Sequence, residues 1–255
     1  MPETWSMPSG SGERWADDYE RGRPGWPEAA LEALGLPPEI TVLEVGAGTG
    51  KLTALLVERF RVLALEPAEA MWSILEGKLP GLKRIGGRAE AIALPDDSVD
   101  AVFVAEAFHK FDGPRAVTEF ARVLKTGGTL ALLWNLPGGT SEPSVEEAER
   151  LLLARAPADL DYEPLDLCAT RYASGTWREP FCDSPFGPIA EREIAHTQTI
   201  DREGLLAFYA SMGWLGELPE EERTALLERA GSLLDAEEYG RPWRTRVHWT
   251  RLASK

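Results

Sequence analysis

Cysteine is scarce: Cys168 and Cys182 are the whole complement of 255 residues. That is too few to frame a disulfide or zinc scaffold, and it fits a reducing cytoplasm. No apolar run approaches the ~20 residues a membrane span needs. The N-terminal residues lack the basic start and apolar centre of a secretory signal, so the expectation is a soluble, cytoplasmic protein. Basic residues are also short, 27 against 42 acidic for a net charge of −15. A broad nucleic-acid surface is therefore not expected, because phosphate binding wants a basic face. Histidine occurs three times, at His109, His196 and His248. Asp96, Asp97 and Asp100 sit in a turn before a strand without matching ligands elsewhere, and read as a solvated turn, so no metal is expected. Internal repeats and low-complexity tracts are missing too. The length suits one α/β domain with insertions.

What the chain does have is the stretch TVLEVGAGTG at 41–50. Thr41, Val42, Leu43 and Val45 form an apolar, β-branched run that reads as a buried strand. Gly46, Gly48 and Gly50 follow, where a sharp turn or a close ligand leaves no room for a Cβ. KLTALLVERF then continues as a helix, whose free N–H groups face whatever binds at the turn. A second strand, RVLALE, ends in Glu66. In a strand–helix–strand unit of this kind the acid after the second strand accepts hydrogen bonds from ribose hydroxyls. Glu66 could instead cap the next helix, but its place at the strand end favours the ribose.

Strand and helix signals go on alternating: strands near 41–45, 61–66, 82–86, 99–105 and 128–134, helices near 50–59, 68–78 and 113–124. This predicts a parallel sheet covered on both faces. Ligands then gather beyond the carboxyl ends of the strands, an edge that collects 44–50, 66–71, 88–90, 106–109 and 134–135. Residues 136–187 break the alternation. They hold a helix from Ser144 to Ala156, with Ser144 as N-cap and Glu147 completing a capping box, then a Pro- and aromatic-rich stretch. That insertion is placed to form a substrate lid or simple surface elaboration. A strand at 189–200, a helix at 201–212 capped by Asp201, a helix at 219–234 and a closing strand through Trp243, Thr245, Val247 and Trp249 complete the chain.

The spacing G-x-G-x-G preceded by Glu44, followed later by Leu65-Glu66-Pro67, resembles motif I and the ribose acid of class I S-adenosylmethionine (AdoMet)-dependent methyltransferases. The run from GRAEAIALPDDSVD through AEAFHKF to RVLKTGGTLALLWN is similar to that family's later motifs. Tyr19 to Pro27, YERGRPGWP, resembles the lead-in of a bacterial small-molecule subgroup, whose lead-in folds over the cofactor. The likeness covers roughly 14–136. It implies a single Rossmann-like domain, with a seven-stranded, mostly parallel sheet, helices on both faces and the last strand antiparallel. The parts would be a flap (14–35), an AdoMet-binding core (36–135), the 136–187 insertion and the end of the sheet (188–255).

Carried over, the resemblance implies cofactor contacts from Tyr19, Arg23, Glu44, Gly46, Ala47, Gly48, Gly50, Glu66, Pro67, Met71, Ala89, Glu90 and Glu106. It implies substrate contacts from Trp26, Phe108, His109, Trp134 and Asn135. Departures fall in the lead-in at Glu20 for the usual Asp and Trp26 for Tyr, and later at Arg88, at Glu106 for the usual Gln, at Lys110 for a common Trp and at Lys125-Thr126 for Arg-Pro. His109 is the expected base where the acceptor carries a proton, because imidazole titrates near neutrality; orienting the substrate is its other reading. His196 and His248, in outer strands, are expected to be structural. Trp134, Phe108, Tyr209 and Trp214 either line an apolar substrate pocket or belong to the core. The implied activity is methylation of a small organic acceptor at O, N or C, releasing S-adenosylhomocysteine. Two alternatives stay open: AdoMet assisting a rearrangement or cyclisation, and a non-catalytic AdoMet-binding module. The oligomeric state is not read from the sequence.

Overall fold

The computed structural model describes residues 12–139, 142–158, 172 and 174–253. Cys168 and much of the predicted insertion lie outside them. Strands β1 (Thr41–Val45), β2 (Arg61–Leu65), β3 (Lys83–Arg84), β6 (Val99–Ala105), β7 (Leu124–Pro137), β8 (Ala190–Asp201) and β9 (Glu238–Arg251) form one seven-stranded sheet, in the order β3-β2-β1-β6-β7-β9-β8. A small hairpin of β4 (Gly87–Arg88) and β5 (Ala91–Ile92) stands apart. Pairing is parallel from β3 to β7. It is antiparallel on both sides of β9, so the last strand alone runs against the other six, as expected.

The pleat sorts the core. Successive side chains of a strand point to opposite faces, and Leu43, Val45, Val102, Val104, Leu130 and Leu132 all pack into one layer with Phe120. Their neighbours Val42, Phe103, Ala131 and Leu133 enter the other, against Leu31, Leu52 and Phe60. Helix α5 (Gly113–Val123) covers the first layer, its N-terminus capped by Asp112 accepting from the Arg115 N–H at 3.3 Å, with Pro114 in the first turn. Short helices α2 (Ala29–Glu32) and α3 (Thr53–Leu56) cover the second. Helix α4 (Glu69–Lys78) packs beside Gly50.

A third cluster lies at the other end of the chain. Val145, Ala148 and Leu152 of α6 (Pro143–Leu153) pack on Leu205 and Phe208 of α7 (Arg202–Ala210), with Leu226 and Ala230 of α9 (Glu220–Leu233). Between α7 and α9 lies the short α8 (Gly213–Gly216). Asp201 caps α7 by accepting from the Gly204 N–H at 2.6 Å. Ser144 does not cap α6: Glu142 holds the N-cap position and Pro143 opens the first turn, where its missing N–H costs nothing. The predicted helix at 50–59 contracts to Thr53–Leu56, and the strand at 82–86 to two residues.

Helix α1 (Gly12–Gly22) ties the two ends together. A Cβ on Gly22 would sit 2.1 Å from the Phe208 backbone N, so only glycine lets α1 approach α7 this closely. The Trp15 indole donates to the Ser211 carbonyl at 3.0 Å, and Arg23 donates to the Ser211 hydroxyl at 2.7 Å and its carbonyl at 2.8 Å. These bonds fall at the α7 C-terminus, where free carbonyls and the helix dipole favour a cation. Trp15 and Ala16 of α1 also pack with Met71 of α4.

Candidate active site

Beyond the carboxyl ends of β1, β2 and β6, under α1, lie two adjoining cavities of about 220 Å³ and about 40 Å³. Tyr19, Gly46, Gly48, Ala105 and Glu106 line both, so the cavities are lobes of one cleft. Glu66, Pro67, Met71, Ala89 and Glu90 belong to the larger lobe. Arg23, Trp26, Glu44, Ala47 and Asn135 belong to the smaller. Most of the residues singled out by sequence thus meet on one surface.

The glycine turn is held from the neighbouring strand. Glu66 accepts from the Gly48 N–H and the Ala68 N–H, both at 2.8 Å, one bond to each carboxylate oxygen. Each oxygen keeps accepting capacity for a hydroxyl. Gly48 has φ +58°, and a Cβ built there meets nothing within 4 Å: the space it would occupy is the cleft itself. Gly50, at φ +84°, is different. Its Cβ would lie 2.2 Å from Leu75 Cδ1, so this glycine serves the packing of α4 and lines neither lobe.

Burial shapes the charges. Glu44 is 1 % exposed and accepts from the Thr53 hydroxyl at 2.6 Å. Burial pushes its carboxyl up to about 8, against the help of that bond. Glu66 is raised for the same reason, although its two backbone bonds oppose the shift. Burial lifts the Tyr19 hydroxyl to about 12, so it stays a donor at neutral pH. Lys110 is brought down to about 8, again mainly by burial, with Glu66 and Glu106 pulling the other way. Glu106 has a left-handed backbone, φ +50°, and its carboxylate accepts from the Asn135 N–H at 2.5 Å. Asn135 joins the walls of the small lobe: its amide donates to the Gly25 carbonyl at 3.2 Å and accepts from the Thr245 hydroxyl at 2.5 Å.

Some expected residues lie elsewhere. Trp134, 1 % exposed, points away from the cleft into an aromatic cluster with Tyr172, Trp177 and His248. Phe108 packs on Phe111, Phe120 and Phe181. Neither lines a lobe, and nor does His109, half-buried on the turn Phe108–Lys110. Tyr209 and Trp214 are core. His196 lies 3.4 Å from the Asn135 side chain, and His248 is buried with Tyr172 Oη at 3.1 Å. Trp15, Lys51, Lys110 and Phe111 line the cleft without having been assigned to it. Trp15 was within reach of pattern reasoning, because it lies four residues before Tyr19 on one helix face. Among the described residues no group of three His, Cys, Asp or Glu side chains gathers to hold a metal.

An acid facing the larger lobe, apolar walls beside it and a smaller lobe with both acid and base suit a nucleoside that carries a charged amino-acid tail. The comparisons agree. Residues 43–132 match the family described as "Methyltransferase domain". The chain is 36% identical over 217 residues to an uncharacterised methyltransferase of Mycobacterium tuberculosis, covering 85% of this chain and 82% of that one. It is 32% identical over 218 residues to an uncharacterised methyltransferase-like protein of Schizosaccharomyces pombe, covering 81% and 78%. A solved structure from Anaeromyxobacter dehalogenans, described as a "Putative Type II Methyltransferase", superposes with a TM-score of 0.64 at 25% identity, over 91% of this chain and 99% of its own. The chain belongs to the class I AdoMet-dependent methyltransferases.

Proposed function

We propose that the acceptor is a small organic molecule, methylated at oxygen, nitrogen or carbon inside the roofed cleft. The observation that carries this reading is the roof itself. Helix α1 is pinned to α7 through Ser211 and packed on Met71, so the cleft beneath it is narrow and walled. Such a space suits a small acceptor better than a polymer.

In this reading Glu66 holds the ribose hydroxyls, and Pro67, Met71, Ala89 and Phe111 flank the adenine. Arg23, Lys51 and Glu44 meet the charged tail. Bound AdoMet supplies a methyl group already activated by its sulfonium, so the protein's task is alignment and exclusion of water. Alignment alone is worth ~7–11 kcal/mol in favourable cases. Asn135 fixes the Glu106 carboxylate, while Tyr19 closes the junction from above. His109 takes an orienting part here, because the ionisable side chains that line the cleft are others.

Incubation with labelled AdoMet and a panel of small acceptors tests the proposal. Label should pass to a small product with S-adenosylhomocysteine released. Label found only on protein or nucleic acid would sink the small-acceptor reading. Glu66→Ala should weaken AdoMet by roughly 1.5–3 kcal/mol in calorimetry, the worth of hydrogen bonds to a charged group. An unchanged affinity would remove Glu66 from the ribose site.

A further inference from the structure

The residues shared by the two lobes mark where a ligand laid across both would carry its middle. In AdoMet that middle is the sulfonium, the link between nucleoside and amino-acid tail. One short segment puts a carboxylate at this place and an ammonium beside it in the larger lobe. Glu106 is on the shared wall, held in a backbone conformation that non-glycine residues seldom adopt and tethered by the Asn135 N–H at 2.5 Å. Lys110, one turn further on, lines the larger lobe, and its own N–H donates to the Ala107 carbonyl at 2.9 Å.

We propose that Glu106 and Lys110 act as an opposed pair that sets the preference of the site between the cationic methyl donor and the neutral spent cofactor. Methyl transfer removes the positive charge from sulfur. A carboxylate at the junction favours the charged donor, and an ammonium in the adjoining lobe favours the uncharged product and the transition state that leads to it. Only such differential interactions change the rate of the chemical step. Glu106 alone would hold the donor at the expense of transfer, and Lys110 offsets that hold. The groups facing Lys110 are Glu66 after β2, Glu106 after β6 and Arg23 after α1. Arg88 and Glu90 share its lobe. Burial leaves the Lys110 ammonium titrating near 8, so the pair changes its balance within a range open to experiment.

This inference rests on AdoMet occupying the cleft. Were that assignment wrong, the wild-type protein would bind neither AdoMet nor S-adenosylhomocysteine, an outcome distinct from the one sought. The experiment is calorimetry of both ligands against wild type, Lys110→Met, Lys110→Arg, Glu106→Gln and the double variant, at about pH 7 where Lys110 is charged. Lys110→Met should raise the ratio of AdoMet to S-adenosylhomocysteine affinity roughly tenfold, an interaction of partly buried charges several ångströms apart. Lys110→Arg should keep the wild-type ratio, Glu106→Gln should lower it, and the double variant should return close to wild type. The wild-type ratio should also climb towards AdoMet as pH passes 8, relative to Lys110→Met measured in parallel, so that titration of Glu44 and of the ligand amine cancels. Lys110→Gln replaces Lys110→Met should the latter not fold. If both affinities shift together and the ratio holds within about twofold, Lys110 is only a wall of the cavity and the proposal falls.

Discussion

The cleft and the surroundings of Arg241 both bury ionisable groups, and they treat them in opposite ways. Arg241 of β9 holds its guanidinium 4.2 Å from the centre of the Phe208 ring of α7, paired to Glu149 at 3.0 Å. Tyr209 donates a further bond to the same carboxylate oxygen at 3.3 Å. Every partner there is a side chain of the protein. In the cleft, Glu44 and Glu66 are held by a hydroxyl and by backbone N–H groups, without a cation in ion-pair contact among the described residues. Burial raises both carboxyls as a result. A buried ionisable group closed by its own fold is structure; one left to shift its titration beside a cavity is a place for a ligand.

The largest expected effect breaks the closed cluster. Arg241→Met strands the Glu149 carboxylate, and removal of one partner from a buried pair costs about 3–5 kcal/mol. Urea unfolding should show this loss, while calorimetry under folding conditions should find AdoMet affinity unchanged. A loss of affinity as great as the loss of stability would erase the distinction drawn between the two regions.

Two glycines just beyond β1 sharpen the same contrast. Gly50→Ala combines φ +84° with a Cβ 2.2 Å from Leu75, and should cost about 2–3 kcal/mol of stability from strain and overpacking. Gly48→Ala meets no neighbour, so its stability cost is limited to ~1–2 kcal/mol of backbone strain. Its methyl enters the cleft, and its signature should be lost AdoMet affinity. Equal affinity losses in the two variants would show that Gly50 also meets the ligand.

Glu44 probes the cleft by pH. Its folded carboxyl titrates at about 8 against 4.5 when exposed, so the ligand-free native state keeps a proton that the unfolded chain releases. The stabilising difference is complete below 4.5 and is lost as pH rises towards 8, by up to about 1.4 kcal/mol for each unit. Glu44→Gln has no such proton. Its melting temperature should draw ahead of wild type as pH climbs, and a constant difference would show that Glu44 titrates normally.

How far the site was legible depends on the range of the signals. Gly46, Gly48 and Glu66 lie within one strand–helix–strand unit, where chain order nearly dictates contact. The packing role of Gly50 is not legible in the loop, because its neighbour Leu75 lies on the next helix, beyond the reach of loop chemistry. Trp134 and Asn135 show a subtler limit. They are consecutive in β7, so they must face opposite layers. Leu133 shares its layer with Val42 and Leu132 shares its own with Leu43, so strand parity puts Asn135 on the Glu44 side and Trp134 away from it. That parity was present in the sequence, but choosing the face required knowing which layer held the cleft. The β7–β9 pairing was visible only through resemblance, because Thr129, midway along the chain, meets Arg251 near its far end. No local pattern spans such a separation. Of the insertion, α6 packs in the third cluster, while 159–171 lie outside the described residues.

The smallest expected effect concerns His109. It sits between Phe108, fixed in the aromatic core, and Lys110, which faces the larger lobe. A side chain in that place can steer the turn without touching the cofactor. His109→Asn should therefore change AdoMet affinity by less than about 0.5 kcal/mol, the usual range for a substitution outside a site. Its kinetic signature should be a raised KM for the acceptor with the pH profile of kcat unmoved, since an orienting residue shifts binding and a proton acceptor shifts the profile. A kcat that loses its acidic limb in this variant would restore His109 as the base, and would extend the functional surface past the two lobes to the half-buried turn beside them.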